Sequence, residues 1–276
     1  MSTEKQRRQA AQRHLQKQLE RRAEQTARRR RTLGILATVV SVLVVVGAVL
    51  LLTGAFSGDD PGGDSAAAPS GAAADRTNAD GTVTCEYTPD GSGNPNLKDV
   101  GLPPNPEATT ATGTSTLLMK TNQGDLTLTL DRAAAPCAAE SFVHLAVKKF
   151  FDGSPCHREV NQPNFGVLQC GDPTGSGQGG PSYKFAEEVT PETTYPRGTI
   201  AMANSGRPGS TGSQFFLCFV DTRLSPDYTA VGTVDEAGLA VLDTIAAAGN
   251  DGSFEPSPGG GAPNTPETLI SVTVVQ

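Results

Sequence analysis

Asn204 and Gln214 are where the chemistry of this sequence collects. They stand at the ends of two apolar runs, Thr199 to Ala203 and Phe215 to Val220, with a Gly- and Ser-rich loop between them. Both runs are short and partly β-branched or aromatic, so they read as strands with at least one face in a core. A strand end facing such a loop leaves backbone N–H and C=O groups unpaired by the sheet, and two amide side chains there extend that set of donors and acceptors. This suits gripping a peptide backbone. The plainer alternative is a long surface hairpin with polar ends.

Other chemistries are poorly supplied. Of the three histidines, His14 lies in a basic N-terminal segment, and only His144 and His157 belong to the later chain. Cys156, His157 and Cys170 lack a fourth partner at zinc spacing, so no metal is expected and His157 reads as a structural strand residue. The run Gly171 to Gly180 looks like a phosphate loop at first sight. No Gly-Lys-Ser/Thr element closes it and Pro181 to Phe185 does not start a helix, so no helix N-terminus awaits a phosphate and no nucleotide cofactor is expected.

The elements that must position these residues begin near Ser115. Leu117, Met119 and the alternating Leu126, Leu128 and Leu130 flank Asn122 to Asp125 in a β-hairpin pattern. Pro136 opens a helix to about Lys149, with Phe142, Leu145 and Ala146 on one face. Pro155 to Val160 and Gly166 to Cys170 are two further strand-like pieces around the loop Asn161 to Phe165.

Ahead of this domain the composition changes sharply. Residues 1–31 hold 11 of the 22 Lys and Arg and 3 of the 29 Asp and Glu, giving +8, so the rest carries 11 − 26 = −15. Such a split means that the two parts face different surroundings. With only Leu15 and Leu19 as large apolar residues, the basic segment cannot build a core. Residues 32–56 contain no charge, and the run Leu33 to Phe56 is 24 residues long. At ~1.5 Å per residue it is long enough for a bilayer core of ~30 Å. Arg28 to Arg31 abut one end, and Asp59 and Asp60 follow the other. The positive-inside rule then puts the N-terminus in the cytoplasm and the rest outside, in a single-pass cell-membrane protein. A cleavable signal peptide competes, but its apolar region is usually about 7–15 residues. The anchor also accounts for the basic tail without a nucleic-acid partner. Residues 57–82 read as a flexible linker and 83–113 as an extended arm lying on the domain of residues 114–276.

The blocks His157-Arg158, Val167 to Asp172, Met202-Ala203-Asn204 and Gly212 to Phe216 resemble, in order and spacing, the signature of cyclophilin-type peptidyl-prolyl cis-trans isomerases. The likeness covers about Thr114 to Val275. It implies a mainly β fold: a closed eight-stranded antiparallel β-barrel capped by two helices, Pro136 to Lys149 and Glu236 to Ala248, with a final strand Thr268 to Val275. It implies Pro-containing polypeptides as partners and catalysis by Arg158, Gln169 and Asn204. Val167, Phe216 and Leu224 would line the proline pocket, Ala203, Asn204 and Gln214 the groove, and Tyr228 its rim. The family's aromatic three residues before the glutamine is replaced by Gly166, with Phe165 one position further back as the substitute. Leu224 stands where some members carry Trp, which implies cyclosporin as a weak ligand.

The residue types fit that reaction. Rotation about an X–Pro bond is slow because it breaks amide resonance, and it needs neither nucleophile nor metal. A guanidinium that hydrogen-bonds the prolyl amide favours the pyramidal nitrogen of the twisted state. A cyclophilin-like module that binds Pro-containing segments without turnover is the second reading. The odd count of five cysteines leaves at least one free, and Cys218, in an apolar strand, is the one expected. Cys156 with Cys170, on strands that should be neighbours, is the favoured pairing among the three that Cys85, Cys137, Cys156 and Cys170 allow. All five would lie on the outer side, where disulfides persist.

Overall fold

The computed structural model describes residues 77–275. The basic tail, the apolar run and residues 57–76 of the expected linker lie outside the described residues. Among the described residues, no helix is long and apolar enough to cross a membrane.

Order begins before the expected end of the linker. Asn78 N–H bonds Thr82 O at 2.7 Å, and the Asn78 amide reaches Glu107 O at 2.8 Å, so residues 77–82 form a turn tied to the end of the arm. Along the arm, β1 (Thr88–Pro89) pairs with residues 183–184, and β2 (Leu97–Lys98) with residues 180–181. Val83, Cys85 and Tyr87 are buried in the main core. A disulfide joins Cys85 to Cys137, and the Tyr87 hydroxyl donates to Cys137 O at 2.8 Å. Arm and domain therefore share one core.

The chain continues through β3 (Thr114–Thr121), β4 (Asp125–Asp131), α1 (Pro136–Val147), β5 (Arg158–Gln162) and β6 (Phe165–Cys170). The short β7 (Gly180–Pro181) and β8 (Tyr183–Lys184) receive the arm, and β9 (Thr199–Met202), β10 (Phe215–Cys218), β11 (Ala230–Val234), α2 (Glu236–Ala248) and β12 (Leu269–Val274) complete the fold. Alternation sets the β3–β4 hairpin: Leu117, Met119, Leu126, Leu128 and Leu130 are all fully buried. Its turn is closed by Thr121, whose hydroxyl donates to Gly124 O at 2.6 Å. Helix α1 starts at Pro136, where the missing N–H costs nothing. The Glu188 carboxylate accepts from the next two amides, Cys137 N and Ala138 N, at 3.0 and 2.9 Å. Helix α2 is capped by Asp235, which accepts from Gly238 N.

Eight strands form one antiparallel sheet in the order β12-β3-β4-β11-β9-β10-β6-β5. The expectation of a closed barrel needs correction: the sheet curls, but no ladder runs between its outer strands β12 and β5. The segment ahead of β5 instead meets the start of β12, through Cys156 N to Glu267 O and Leu269 N to Ser154 O, both 2.9 Å. Along β5 itself the open edge is taken by residues 259–261, with Glu159 N bonding Gly261 O at 2.8 Å. A loop has filled the place of a strand pairing, and it satisfies the edge that would otherwise be exposed.

Successive residues of β6 and β10 point to opposite faces. Leu168, Cys170, Phe215 and Leu217 join the main core, whereas Val167, Phe216 and Cys218 join a second cluster with Val160, Tyr195 and Ala201. Partly buried Phe165, Ala203, Leu224 and Tyr228 pack on this second cluster. The Cys156–Cys170 disulfide is present, and Cys218 is a buried free thiol whose pKa burial pushes up to about 12.

Candidate active site

Direct pairing of β5 with β6 sets Arg158 opposite Gln169. Arg158 Nη1 donates to Gln169 Oε1 at 3.0 Å. Gln169 Nε2 donates to Gln214 Oε1 at 2.9 Å, and Gln214 Nε2 donates to Gly177 O and Gly179 O at 3.1 and 3.0 Å. The guanidinium is thus one end of a relay that crosses three strands and finishes on the Gly-rich loop. Asp172 holds that loop in shape, accepting from Thr174 N at 2.7 Å and Gly179 N at 3.0 Å. Burial alone would raise its pKa, but these backbone N–H groups and Thr174 outweigh it and the net shift is downward. The glycine run therefore builds a carbonyl-lined shelf, not a phosphate cradle.

Beside the relay lies an open cleft of about 540 Å³. Arg158, Gln169, Phe165, Val167, Ala203, Asn204, Phe216, Leu224 and Tyr228 all border it. Of the ten residues expected from the sequence, Gln214 alone is set back, lining a neighbouring groove that shares Gln169, Ala203 and Asn204 with the cleft. Phe216 and Tyr228 meet edge to face at 5.4 Å, and the Tyr195 hydroxyl fixes the Tyr228 backbone, donating to its O at 2.9 Å and accepting from its N at 3.0 Å. Asn204 Nδ2 donates to Asp227 O at 2.8 Å, bracing the opposite rim.

The pleat explains the displaced aromatic. Phe165, Val167 and Gln169 alternate onto the cleft side, and Gly166 turns toward the main core. A Cβ at Gly166 would lie 2.6 Å from the Phe219 ring and 2.7 Å from Val220, so no larger residue fits there. Phe165 supplies the aromatic surface from the neighbouring position, and both it and Val167 border the cleft.

Six cleft residues were not singled out for the site from the sequence: His157, Ser176, Gly177, Gln178, Phe254 and Pro258. Burial lowers the His157 pKa, which keeps the ring neutral near pH 7. Phe254 is a lone aromatic in a Pro- and Gly-rich stretch, the one local signal that could have drawn attention to it. Arg158 makes no ion pair among the described residues. Burial lowers its pKa, partly offset by the more distant Glu255 carboxylate, yet an arginine stays charged at any physiological pH, so a cation in no direct ion pair borders the cleft. Among the described residues no cluster of His, Cys, Asp or Glu could hold a metal ion.

Residues 116–272 match the family model "Cyclophilin type peptidyl-prolyl cis-trans isomerase/CLD". The chain is 40% identical over 205 residues to a probable peptidyl-prolyl cis-trans isomerase B of Mycobacterium tuberculosis, a match covering 70% of this chain and 63% of that protein's length. A crystal structure of a cyclophilin-type isomerase from Cryptosporidium parvum aligns with a TM-score of 0.51 and 27% identity, over 59% of this chain and 99% of that one. The same isomerase solved in the presence of the dipeptide Ala-Pro aligns with a TM-score of 0.50 and 27% identity, over 58% and 99%.

Proposed function

The chain belongs to the cyclophilin-type peptidyl-prolyl cis-trans isomerase family, and from that premise we propose that it accelerates cis–trans rotation about X–Pro bonds in polypeptides. The observation that carries the reading is Arg158: a cation in no direct ion pair, held by three neutral hydrogen-bond acceptors beside the apolar wall of the cleft. The apolar wall of Phe216, Val167, Phe165 and Leu224 accepts the Pro ring, burying it where it stays fixed while the preceding carbonyl turns. A guanidinium N–H bonds the prolyl amide as its nitrogen loses conjugation and becomes pyramidal. This interaction strengthens in the twisted state, and so lowers the barrier more than it tightens ground-state binding. Gln169 holds the guanidinium, and Asn204 and Gln214 give the groove its peptide-facing polar groups. The use of Ala-Pro with the Cryptosporidium protein supports a Pro-containing ligand here. Leu224, in place of a larger aromatic, leaves less surface for cyclosporin, which is expected to bind weakly.

Exchange NMR on the full chain in detergent micelles, with an Ala-Pro peptide, tests this. Exchange between cis and trans signals faster than without protein is the expected result. Peptide binding without faster exchange would instead favour a non-catalytic module, and neither binding nor exchange would remove the reading.

The clients proposed are exported proteins folding at the outer face of the membrane. Support comes from the 24-residue apolar run, the Arg28 to Arg31 cluster and the −15 charge of everything after residue 31. A reporter fused after Gln276 should read as extracytoplasmic. Neutralising Arg28 to Arg31 should move part of the population to the opposite orientation, and a cytoplasmic reading in the parent would sink the topology.

A further inference from the structure

Arg158 is gripped from a second side by a segment that no signature block contains. Arg158 Nε donates to Gly259 O at 2.9 Å, and Nη2 donates to Pro258 O at 2.8 Å. With Nη1 on Gln169, three of the five N–H donors of an arginine are engaged, and one hydrogen on each terminal nitrogen is left over. The two loop carbonyls take the side edge of the guanidinium, formed by Nε and Nη2.

The segment is built to stay in place. Gly259 N bonds Phe254 O at 3.1 Å and Phe254 N bonds Gly260 O at 2.9 Å, so residues 254–260 close on themselves. Glu255 Oε1 accepts from Gly260 N at 2.7 Å. Gly260, at φ +75, lies flat on β5, where a Cβ would come within 2.0 Å of Glu159 O. Pro258 itself is exposed at the cleft rim and leaves the apolar wall of Phe216 and Val167 uncovered.

We propose that residues 254–260 are a positioning strap for the isomerisation: the carbonyls of Pro258 and Gly259 orient the Arg158 guanidinium so that its two spare N–H groups face the substrate. Neutral carbonyls do this without cancelling the positive charge, which a carboxylate in the same place would. Orientation fixed before the substrate arrives need not be achieved at the transition state. The strap touches no reacting atom and acts through Arg158. This rests on the isomerase reading, and it names the residues that make the arginine competent.

The test is a deletion of Glu255 to Pro258 with Phe254 joined to Gly259, whose backbones already lie within hydrogen-bond distance, so that a short displacement closes the chain and carries the two carbonyls away from Arg158. In the full chain in detergent, kcat/KM for an Ala-Pro peptide should fall about tenfold or more, as expected for a misplaced catalytic group, with peptide Kd nearly unchanged. In an Arg158→Ala background the same deletion should cause no further fall. A rise in rate on deletion would overturn the proposal by making the strap an inhibitor, and an equal fall in both backgrounds would make its role merely structural. Gly260→Ala, which pushes the strap off β5, gives the same comparison if the deletion fails to fold. The parent alone supplies a third measurement, independent of turnover: the Arg158 Nε–H, assigned by its loss in Arg158→Ala, should exchange slowly with water. Rapid exchange would overturn the strap even if catalysis is observed, and absent catalysis with slow exchange would remove the isomerase reading and leave the contact standing.

Discussion

Replacing Arg158 by Ala removes one guanidinium and, with it, the contacts to Gln169, Pro258 and Gly259. Two consequences separate cleanly. The first is catalytic: a charge-assisted hydrogen bond made mainly in the twisted state is worth about 1.5–4 kcal/mol, so the rate should drop roughly ten- to a thousandfold. The second is structural and smaller. Pro258 is exposed and its carbonyl can turn to water, whereas Gly259 is buried and loses its Arg158 donor, which costs ~1–3 kcal/mol of stability. Exchange NMR with an Ala-Pro peptide, run well below the melting midpoint, reads the first without the second. Peptide affinity should change far less than the rate, because Phe216, Val167 and Leu224 survive the substitution. Arg158→Lys keeps the charge but cannot present a planar fork to two carbonyls, an amide and a substrate at once, so it should resemble Ala. Full activity in Arg158→Ala with unchanged affinity would refute the assigned mechanism, even with the fold intact.

Phe216→Ala should do the reverse, weakening peptide binding and costing ~3–5 kcal/mol of stability, since Phe216 is only 6% exposed among Val167, Tyr195 and Tyr228; an unchanged peptide Kd would place the Pro ring elsewhere. Glu267 is buried, and burial raises its pKa from 4.5 to about 7. The fold therefore holds its proton more tightly than the unfolded chain does, and up to about 3 kcal/mol of stability present below pH 4.5 is lost as pH rises through about 7. Thermal scans at pH 5 and pH 8 should show that slope flattened in Glu267→Gln, and equal slopes would reject the assignment. The two disulfides close loops of 52 and 14 residues, so chain entropy assigns ~4 and ~3 kcal/mol to them. Denaturant unfolding of Cys85→Ser/Cys137→Ser should accordingly show the larger loss, and a loss no larger than that from removing the Cys156–Cys170 bridge would mean that the arm is held by packing alone.

Much of the site was legible in the sequence because it is carried by side-chain types at short spacings. The β3–β4 hairpin, helix α1, and strands β5, β6, β9 and β10 follow from alternation, helix-start and turn residues, each a local property with a local signature, whereas α2 was implied by the family resemblance. Arg158 and Gln169 lie on adjacent strands, and the cleft-facing Phe165 and Phe216 fall within or next to the signature blocks, whereas Phe254 does not. Tertiary structure decided what depends on distant backbone. Nothing in the alternation of β6 says that Gly166 must face Phe219 and Val220, and only that contact explains why the aromatic moved to Phe165. The arm carries few apolar residues and no period, so its entry into the core through Val83, Cys85 and Tyr87 needed the disulfide partner to be seen. The sheet stays curled and not closed because a loop from residues near 260 reaches β5, about a hundred residues away in sequence. That same loop grips Arg158 through carbonyl oxygens, which every residue possesses, so no choice of side chain could have announced it.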